Sequence, residues 1–282
     1  MSFFFGGPVD GFVAGAAEAT DDAILYAFVG ERLVVHVGDD ARVPTLREAR
    51  AMGLEPATLW PLGTLDGVPR LSATLPDDTL LPDTLRGTTV RRLFGAKDPR
   101  EIFVASLGGQ LAHFDRTTRF CGQCGAPTLL GALPRSKRCE RCERELHPHV
   151  SPCVIVLVTD GPRVLLTRGP KFPPGMFGLV AGFVEPGESL EGCVARELLE
   201  ETGITVGSPR YVASQPWPFP SQLMVGYVAE YVSGDVKPDL TELEEARFFG
   251  PDELPILPPP LSIARMLLDR FFDGSLSKPE PP

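Results

Sequence analysis

The 282-residue chain is short of cysteine, of positive charge and of long apolar runs, and each shortage closes off a class of protein. Six Cys are few for a disulfide scaffold of this size. With 27 Lys+Arg against 37 Asp+Glu, the formal net charge of -10 repels nucleic-acid backbones and anionic membranes on average, although a local basic patch is compatible with that total. The apolar run Cys153 to Val158 has the length of a buried strand, and no stretch approaches the ~18 apolar residues that span a bilayer. Met1 to Asp10 holds three consecutive Phe without a basic lead-in, so it does not read as a signal peptide. These absences predict a cytoplasmic protein with no membrane attachment.

What is present is enough to fold. At 43% apolar residues the chain builds a sizeable core, and its length predicts about two domains. The 29 Gly and 30 Pro stay below the ~25–30% typical of low-complexity disorder. From Asp22 to about Leu80, short β-rich runs (Ile24 to Val29, Arg32 to Val37, Ala57 to Leu62, Arg70 to Leu75) alternate with turns, around one short helix near Leu46 to Met52. Pro99 opens a helical pattern to about Arg116 with Ile102, Phe103, Leu107, Leu111 and Phe114 at helical spacing. Beyond a cysteine cluster come a strand-rich segment, a charged helix at about Ser189 to Thr202, strands at Tyr211 to Ala213, Met224 to Val232 and Ala246 to Phe249, and a helix from about Ser262 to Phe272. The Pro-rich end, Lys278 to Pro282, reads as frayed.

Four of the cysteines form two C-x2-C pairs, Cys121/Cys124 and Cys139/Cys142, with Gly122 and Gly125 loosening the first turn. Four thiolates suit a tetrahedral zinc with no position left for water, so one structural zinc per chain is expected, and a reducing compartment with it. Cys153 and Cys193 are left as buried thiols. Arg135, Lys137, Arg138, Arg141 and Arg144 make the cluster locally basic, and solvated loop charge is the simpler reading of them than a nucleic-acid contact.

The residues Gly182 to Ile204 read GFVEPGESLEGCVARELLEETGI. Glu197, Glu200 and Glu201 fall at i, i+3 and i+4 on one helix face, where like charges repel unless a cation sits among them. Hard carboxylate oxygens select magnesium or manganese. Gly182, Glu188, Arg196, Glu197, Leu198, Glu200, Glu201, Gly203 and Ile204 fill every required position of G-x5-E-x7-R-E-U-x-E-E-x-G-U, U being a bulky aliphatic residue. Arg196 is placed to pair with Glu188, and Gly203 to end the helix in the left-handed conformation. This is the Nudix box, and the chain resembles the Nudix hydrolases, which cleave nucleoside diphosphates linked to another group.

Ser214-Gln215-Pro216-Trp217-Pro218-Phe219-Pro220 resembles the SQPWPFP signature of the NADH pyrophosphatase and NAD-capped RNA hydrolase branch, whose members also carry a four-cysteine ribbon before the Nudix domain. The resemblance implies an α+β fold class: an α+β domain at 1–95, a linker helix and zinc ribbon at 96–149, and a Nudix α/β/α sandwich at 150–282. It implies a homodimer that hydrolyses NAD(H) to nicotinamide mononucleotide and AMP, and that removes an NAD cap from RNA 5′ ends to leave a monophosphate. Several magnesium or manganese ions per site would be held by Glu197, Glu200, Glu201 and the Ala181 carbonyl, with a further carboxylate from Glu242 as best match or Glu245 as second. Glu200 or Glu201 would orient or deprotonate the attacking water. Phe183 would stack on nicotinamide, with Gln215, Trp217, Phe219, Met224 and Ala264 as further substrate contacts and Arg92 as a phosphate or partner-subunit contact, an alignment that the neighbouring Arg91 leaves open.

The chain departs from its relatives at three places that bear on substrate. Ser221 precedes Gln222 where many relatives have the reverse order, so the hydroxyl is displaced by one position. His147-Pro148-His149 puts His147 where relatives place a tyrosine that closes over the base. Pro134 stands where some carry a substrate-contacting Glu. Two alternatives remain open at this level: hydrolysis chiefly of another dinucleotide such as ADP-ribose or diadenosine polyphosphate, which the signature loop counts against, and a silent nucleotide sensor, which would have no need of the complete glutamate set.

Overall fold

The computed structural model describes residues 9–39, 42–93 and 98–276. The three consecutive Phe near the start and the Pro-rich end at 278–282 lie outside the described residues. The chain divides into two compact units: one holds the described residues up to Val150 together with Trp217–Ser221, the other Ser151–Pro216 and the residues from Gln222 onward. Among the described residues, no helix is long and apolar enough to cross a membrane.

In the first unit, β1 (Phe12–Ala14), β2 (Ile24–Val29), β3 (Arg32–His36), β4 (Trp60–Leu65), β5 (Val68–Leu75) and β6 (Leu85–Thr88) form one sheet in the order β1-β4-β5-β2-β3-β6, with α1 (Leu46–Ala51) between β3 and β4 in sequence. A capping box starts α1: Thr45 Oγ1 accepts from Glu48 N–H, and the Glu48 carboxylate accepts from Thr45 N–H. The second helix, α2 (Pro99–Thr117), opens with Pro99 after the N-cap Asp98 and packs on β5, β2 and β4 through buried Ile102, Leu111 and Phe114. At Gly108 the helix backbone comes so close that Ser72 Oγ donates to its carbonyl at 2.9 Å. The helix expected as a linker to the ribbon thus completes the amino-terminal core. The ribbon itself is a small sheet, β7 (Thr128–Leu130), β8 (Lys137–Cys139) and β9 (Glu145–Leu146).

The second unit is centred on β10 (Ser151–Asp160), which runs antiparallel to β11 (Arg163–Arg168) and β12 (Val180–Phe183) and parallel to β15 (Gln222–Ser233). The sheet is completed by β13 (Thr205–Val206), β14 (Arg210–Trp217) and β16 (Glu245–Phe249). Because side chains alternate along a strand, Val154, Val156 and Val158 turn to one face and join Cys193, Val194 and Leu198 of α3 (Leu190–Thr202) in a single core. The other face receives α4 (Ile263–Phe272), whose Ile263 would meet a side chain at Gly226 of β15 at 2.9 Å. The result is a helix, sheet, helix sandwich, the layered arrangement expected for this half.

Several expected strand ends shifted by a residue or two, and two elements shifted further. The strand expected at Ala57 to Leu62 begins at Trp60 and continues to Leu65, through an irregularity between Pro61 and Gly63 that hides its alternation. The segment expected as a loop from Ser214 begins as strand: β14 runs to Trp217, pairing with β15. Pro216 is tolerated there because an edge position does not need its missing N–H.

Candidate active site

The site is built where β12 hands the chain to α3. Ser189 caps the helix by accepting from Gly192 N–H, and Gly203 at φ 74° ends it in the left-handed region that glycine adopts without strain. Between those caps the acidic face turns inward: Glu197 and Glu201 are buried although they carry carboxylates, while Glu200 is exposed. Gly182 makes room for this, since a methyl group there would sit 1.8 Å from the Glu197 Cδ.

Arg196 holds the cluster together. Its Nε and Nη2 donate to the two oxygens of Glu188 at 2.8 and 3.0 Å, Nη1 donates to Glu197 at 2.9 Å and to Glu200 at 3.0 Å, and Nη2 also reaches the Phe183 carbonyl at 2.9 Å. The planar fork suits this role, because its donors diverge in one plane toward several acceptors. The Arg196 hydrogen bonds hold the Glu188 carboxyl down at about 2, helped by the N–H of Glu185.

Glu201 has the opposite environment. Burial pushes its carboxyl up to about 7, and the charged groups that add to the shift, Glu197, Glu242, Asp239 and Glu200, are all acidic. Burial likewise raises Glu197, against the pull of Arg196. A buried carboxylate set with one guanidinium among its members is deficient in positive charge, and hard oxygen donors of this kind fit divalent magnesium or manganese.

The loop after β15 brings the further carboxylate. Asp239 N–H donates to the Glu201 carbonyl at 2.9 Å, and the Asp239 side chain closes a turn by accepting from Thr241 N–H and Oγ1. Glu242 and Leu243 N–H then return to the Asp239 carbonyl, and Leu243 is buried, which fixes Glu242 close enough to raise both Glu197 and Glu201. Glu245, the second candidate, starts β16 and pairs with Arg247 at 3.0 Å. Asp239 carried no expectation from the sequence; its Asp-x-Thr turn pattern was the available signal.

Of the expected substrate contacts in this unit, Phe183 is half exposed with its ring free of the core. Ala181 is on β12 opposite Ile155, and Met224 and Ala264 are buried. Gln215 is fully buried: its Nε2 donates to the Leu261 carbonyl at 2.7 Å and its Oε1 accepts from Ile263 N–H at 2.8 Å. Both ends of that amide are spent on the start of α4. Gln222 is half-buried at the start of β15, and the remaining candidates belong to the first unit. There Trp217 and Phe219 form an edge-to-face pair with centroids 5.1 Å apart, Ser221 Oγ donates to the His149 carbonyl, and His147 and Arg92 are exposed.

In the ribbon, the four cysteine sulfurs lie within 4.8 Å of one another. Cys121 and Cys142 sulfurs are 3.7 Å apart, Cys124 and Cys139 3.4 Å, and Cys124 and Cys142 3.9 Å. A tetrahedron with ~2.3 Å zinc–sulfur arms has edges of about 3.8 Å, so the cluster fits zinc. After each pair the chain turns through positive φ, at Gly125 (70°) and Glu143 (57°). The Cys142 N–H points at Cys139 and pulls that thiol down to about 6. The local basic charge is largely engaged within the unit: Lys137 is buried against Asp115 at 2.7 Å, Arg135 donates to the Leu62 carbonyl, and Arg138 pairs with Glu143.

Comparison with known proteins places these features in one family. The NUDIX domain family matches residues 147–268, and the NADH pyrophosphatase zinc ribbon domain matches 116–146. The NAD-capped RNA hydrolase NudC of Stutzerimonas stutzeri (strain A1501) is 42% identical over 220 residues, which covers 78% of this chain and 79% of that protein. The chain belongs to the NudC family of Nudix hydrolases. A second NudC, from Pseudomonas syringae pv. tomato, is 46% identical over 172 residues, covering 61% of this chain and 62% of the relative. A Nudix hydrolase crystal structure from Nitrosomonas europaea matches with TM-score 0.48 at 29% identity, over 55% of this chain and 91% of that one. The NudC ribbon match contains all four cysteines, and the Nudix match contains Glu188, Arg196, the α3 glutamates and Glu242.

Proposed function

We propose that this chain is a divalent-metal-dependent hydrolase of the pyrophosphate bond in NAD(H), giving nicotinamide mononucleotide and AMP, and that it removes NAD from capped RNA to leave a 5′-monophosphate. The two are one cleavage, because capped RNA is NAD extended from its adenosine ribose. The observation that carries the reading is the buried carboxylate set of Glu197 and Glu201, opened by Gly182, braced by Arg196 and joined by Glu242. The names of the NudC relatives and the four-cysteine ribbon support the dinucleotide as substrate.

In this reading Glu197, Glu200, Glu201 and Glu242, with the Ala181 carbonyl, hold magnesium or manganese. When bound, the cations neutralise the diphosphate and make water more acidic. The chain supplies the arrangement. Arg196 fixes the orientation of Glu188, Glu197 and Glu200 before substrate arrives, which lowers the reorganisation needed in the transition state. Glu200 or Glu201 takes the proton of the water whose oxygen attacks phosphorus, as the bridging P–O bond breaks and the leaving phosphate carries the electron pair. Phe183 offers a half-exposed ring on which nicotinamide stacks. The protein works as a cytoplasmic homodimer, with Glu245 held in reserve to Glu242 as the loop ligand.

The test offers the protein NADH, NAD, ADP-ribose and NAD-capped RNA with magnesium or manganese and identifies the products. Release of nicotinamide mononucleotide is expected from NAD(H) and from the capped RNA; its absence from all of them refutes the reading. Light scattering reads the homodimer directly, and a monomeric mass removes it.

A further inference from the structure

Arg91 lies in a short 3-10 turn at Val90–Leu93 and is exposed. Its guanidinium carbon stands 5.5 Å from the Trp217 ring centroid and 4.6 Å from that of Phe219. Both distances fall within the ~6 Å reach of a cation over an aromatic face. Trp217 and Phe219 are themselves set edge to face at 79°, so one side chain from the amino-terminal sheet domain bears on two rings at once. Pro218, Phe219 and Pro220 also line a cavity of about 260 Å³ with Phe28, Val90 and His113.

We propose that Arg91 is a positioning residue that holds Trp217 and Phe219 in the orientation in which they meet the substrate base, and that this is a task of the amino-terminal domain. The proposal rests on the NAD(H) reading for its substrate only. Its energetic logic is that of a population: if the loop spends a smaller fraction of its time in the competent orientation, apparent affinity falls by that fraction. The carboxylate site in the other unit is untouched, so the loss belongs in KM and not in kcat. Arg91 covers ring faces that a neighbouring arginine without this placement does not, a distinction spacing alone does not make for Arg91 and Arg92.

The experiment compares wild type with Arg91→Ala, Arg91→Lys and, as a surface control in the same unit, Arg50→Ala, whose partner is Asp21. Initial rates are measured on NADH with magnesium, and acrylamide quenching of tryptophan emission is measured alongside. The protein has 2 Trp, and Trp60 is only 2% exposed, so a change in quenching reports Trp217. Arg91→Ala is expected to raise KM about 10-fold, equivalent to ~1.4 kcal/mol, with kcat within about 2-fold and stronger quenching. Arg91→Lys, which keeps the charge but loses the planar face, should recover part of both effects, and Arg50→Ala should match wild type. Unchanged KM and quenching in Arg91→Ala, or a fall in kcat with KM constant, overturns the proposal. If Arg91→Ala fails to fold, the Lys variant decides by the same two readings. If wild type hydrolyses no dinucleotide, the function is wrong while quenching still decides the loop contact: no increase in Arg91→Ala overturns it, and an increase upholds it.

Discussion

Gly182→Ala isolates the geometry of the site from its chemistry, because it removes no charged group. The added methyl would lie 1.8, 2.0 and 2.3 Å from the Glu197 Cδ and its two oxygens. Restoring ordinary contact at about 3.5 Å requires the carboxylate to retreat by about 1.5 Å. That movement pulls it off the 2.9 Å hydrogen bond from Arg196 and out of the metal-binding arrangement. The clash is with the far end of a flexible side chain, and burial already disfavours the ionised form of that carboxyl, so the fold should survive with a melting temperature within a few degrees of wild type. A misplacement of ~1 Å at a catalytic centre can cost about 100-fold, or ~2.7 kcal/mol in the barrier. The assay is nicotinamide mononucleotide release at saturating magnesium, with a melting curve on the same preparation. Gly250→Ala, where a Cβ meets nothing within 4 Å, is the control. A Gly182→Ala protein that retains wild-type turnover would refute both the placement of Glu197 and its assignment as a metal ligand.

Other expectations are equally direct. Elemental analysis should find about one zinc per chain, falling below that in Cys124→Ser together with a loss of ribbon stability; a folded wild-type protein free of zinc would contradict the sulfur geometry. Gln215→Leu leaves the Leu261 carbonyl and Ile263 N–H without partners, so it should destabilise the second unit by about 2 kcal/mol or more. An unchanged melting temperature with a raised KM would instead make that amide a substrate contact. Thr45→Ala removes one half of a capping box and should cost about 1 kcal/mol. The Thr45 N–H lowers the Glu48 carboxyl below its usual range, so the stabilisation from that pair is present above the unfolded pKa and is lost as pH falls through the folded one. Glu48→Gln should flatten that acid limb, and a limb left unaltered would count against the cap.

Elements whose signals are local were legible from residues alone. Ile24–Val29 as a strand and Pro99 as a helix start follow from β-branched and aromatic residues and from proline at the first turn, and α3 could be bounded by Ser189 and Gly203. The metal-type residues were legible for the same reason: cysteine and glutamate spacing is written in consecutive positions. Gln215 was not, because its role depends on Leu261 and Ile263, which lie far along the chain. The contact of Arg91 with Trp217 and Phe219 was hidden likewise, since nothing in its neighbourhood announces two aromatic rings more than a hundred positions away. The packing of α2 on the first sheet was hidden because amphipathic spacing says that a face is buried without saying against what.

The ribbon's basic residues have a consequence for how an RNA substrate would behave in salt. Protein bound to a polyanion releases counterions in proportion to the phosphates it neutralises, and affinity falls with salt accordingly. Lys137 is committed to Asp115, Arg138 to Glu143 and Arg135 to a backbone carbonyl, which leaves the exposed Arg141 and Arg144 of that cluster to displace counterions from an RNA body. Processing of a long capped transcript should therefore lose little more with rising ionic strength than processing of the bare dinucleotide. The RNA beyond its first nucleotide would be carried as a passenger by the protein rather than gripped.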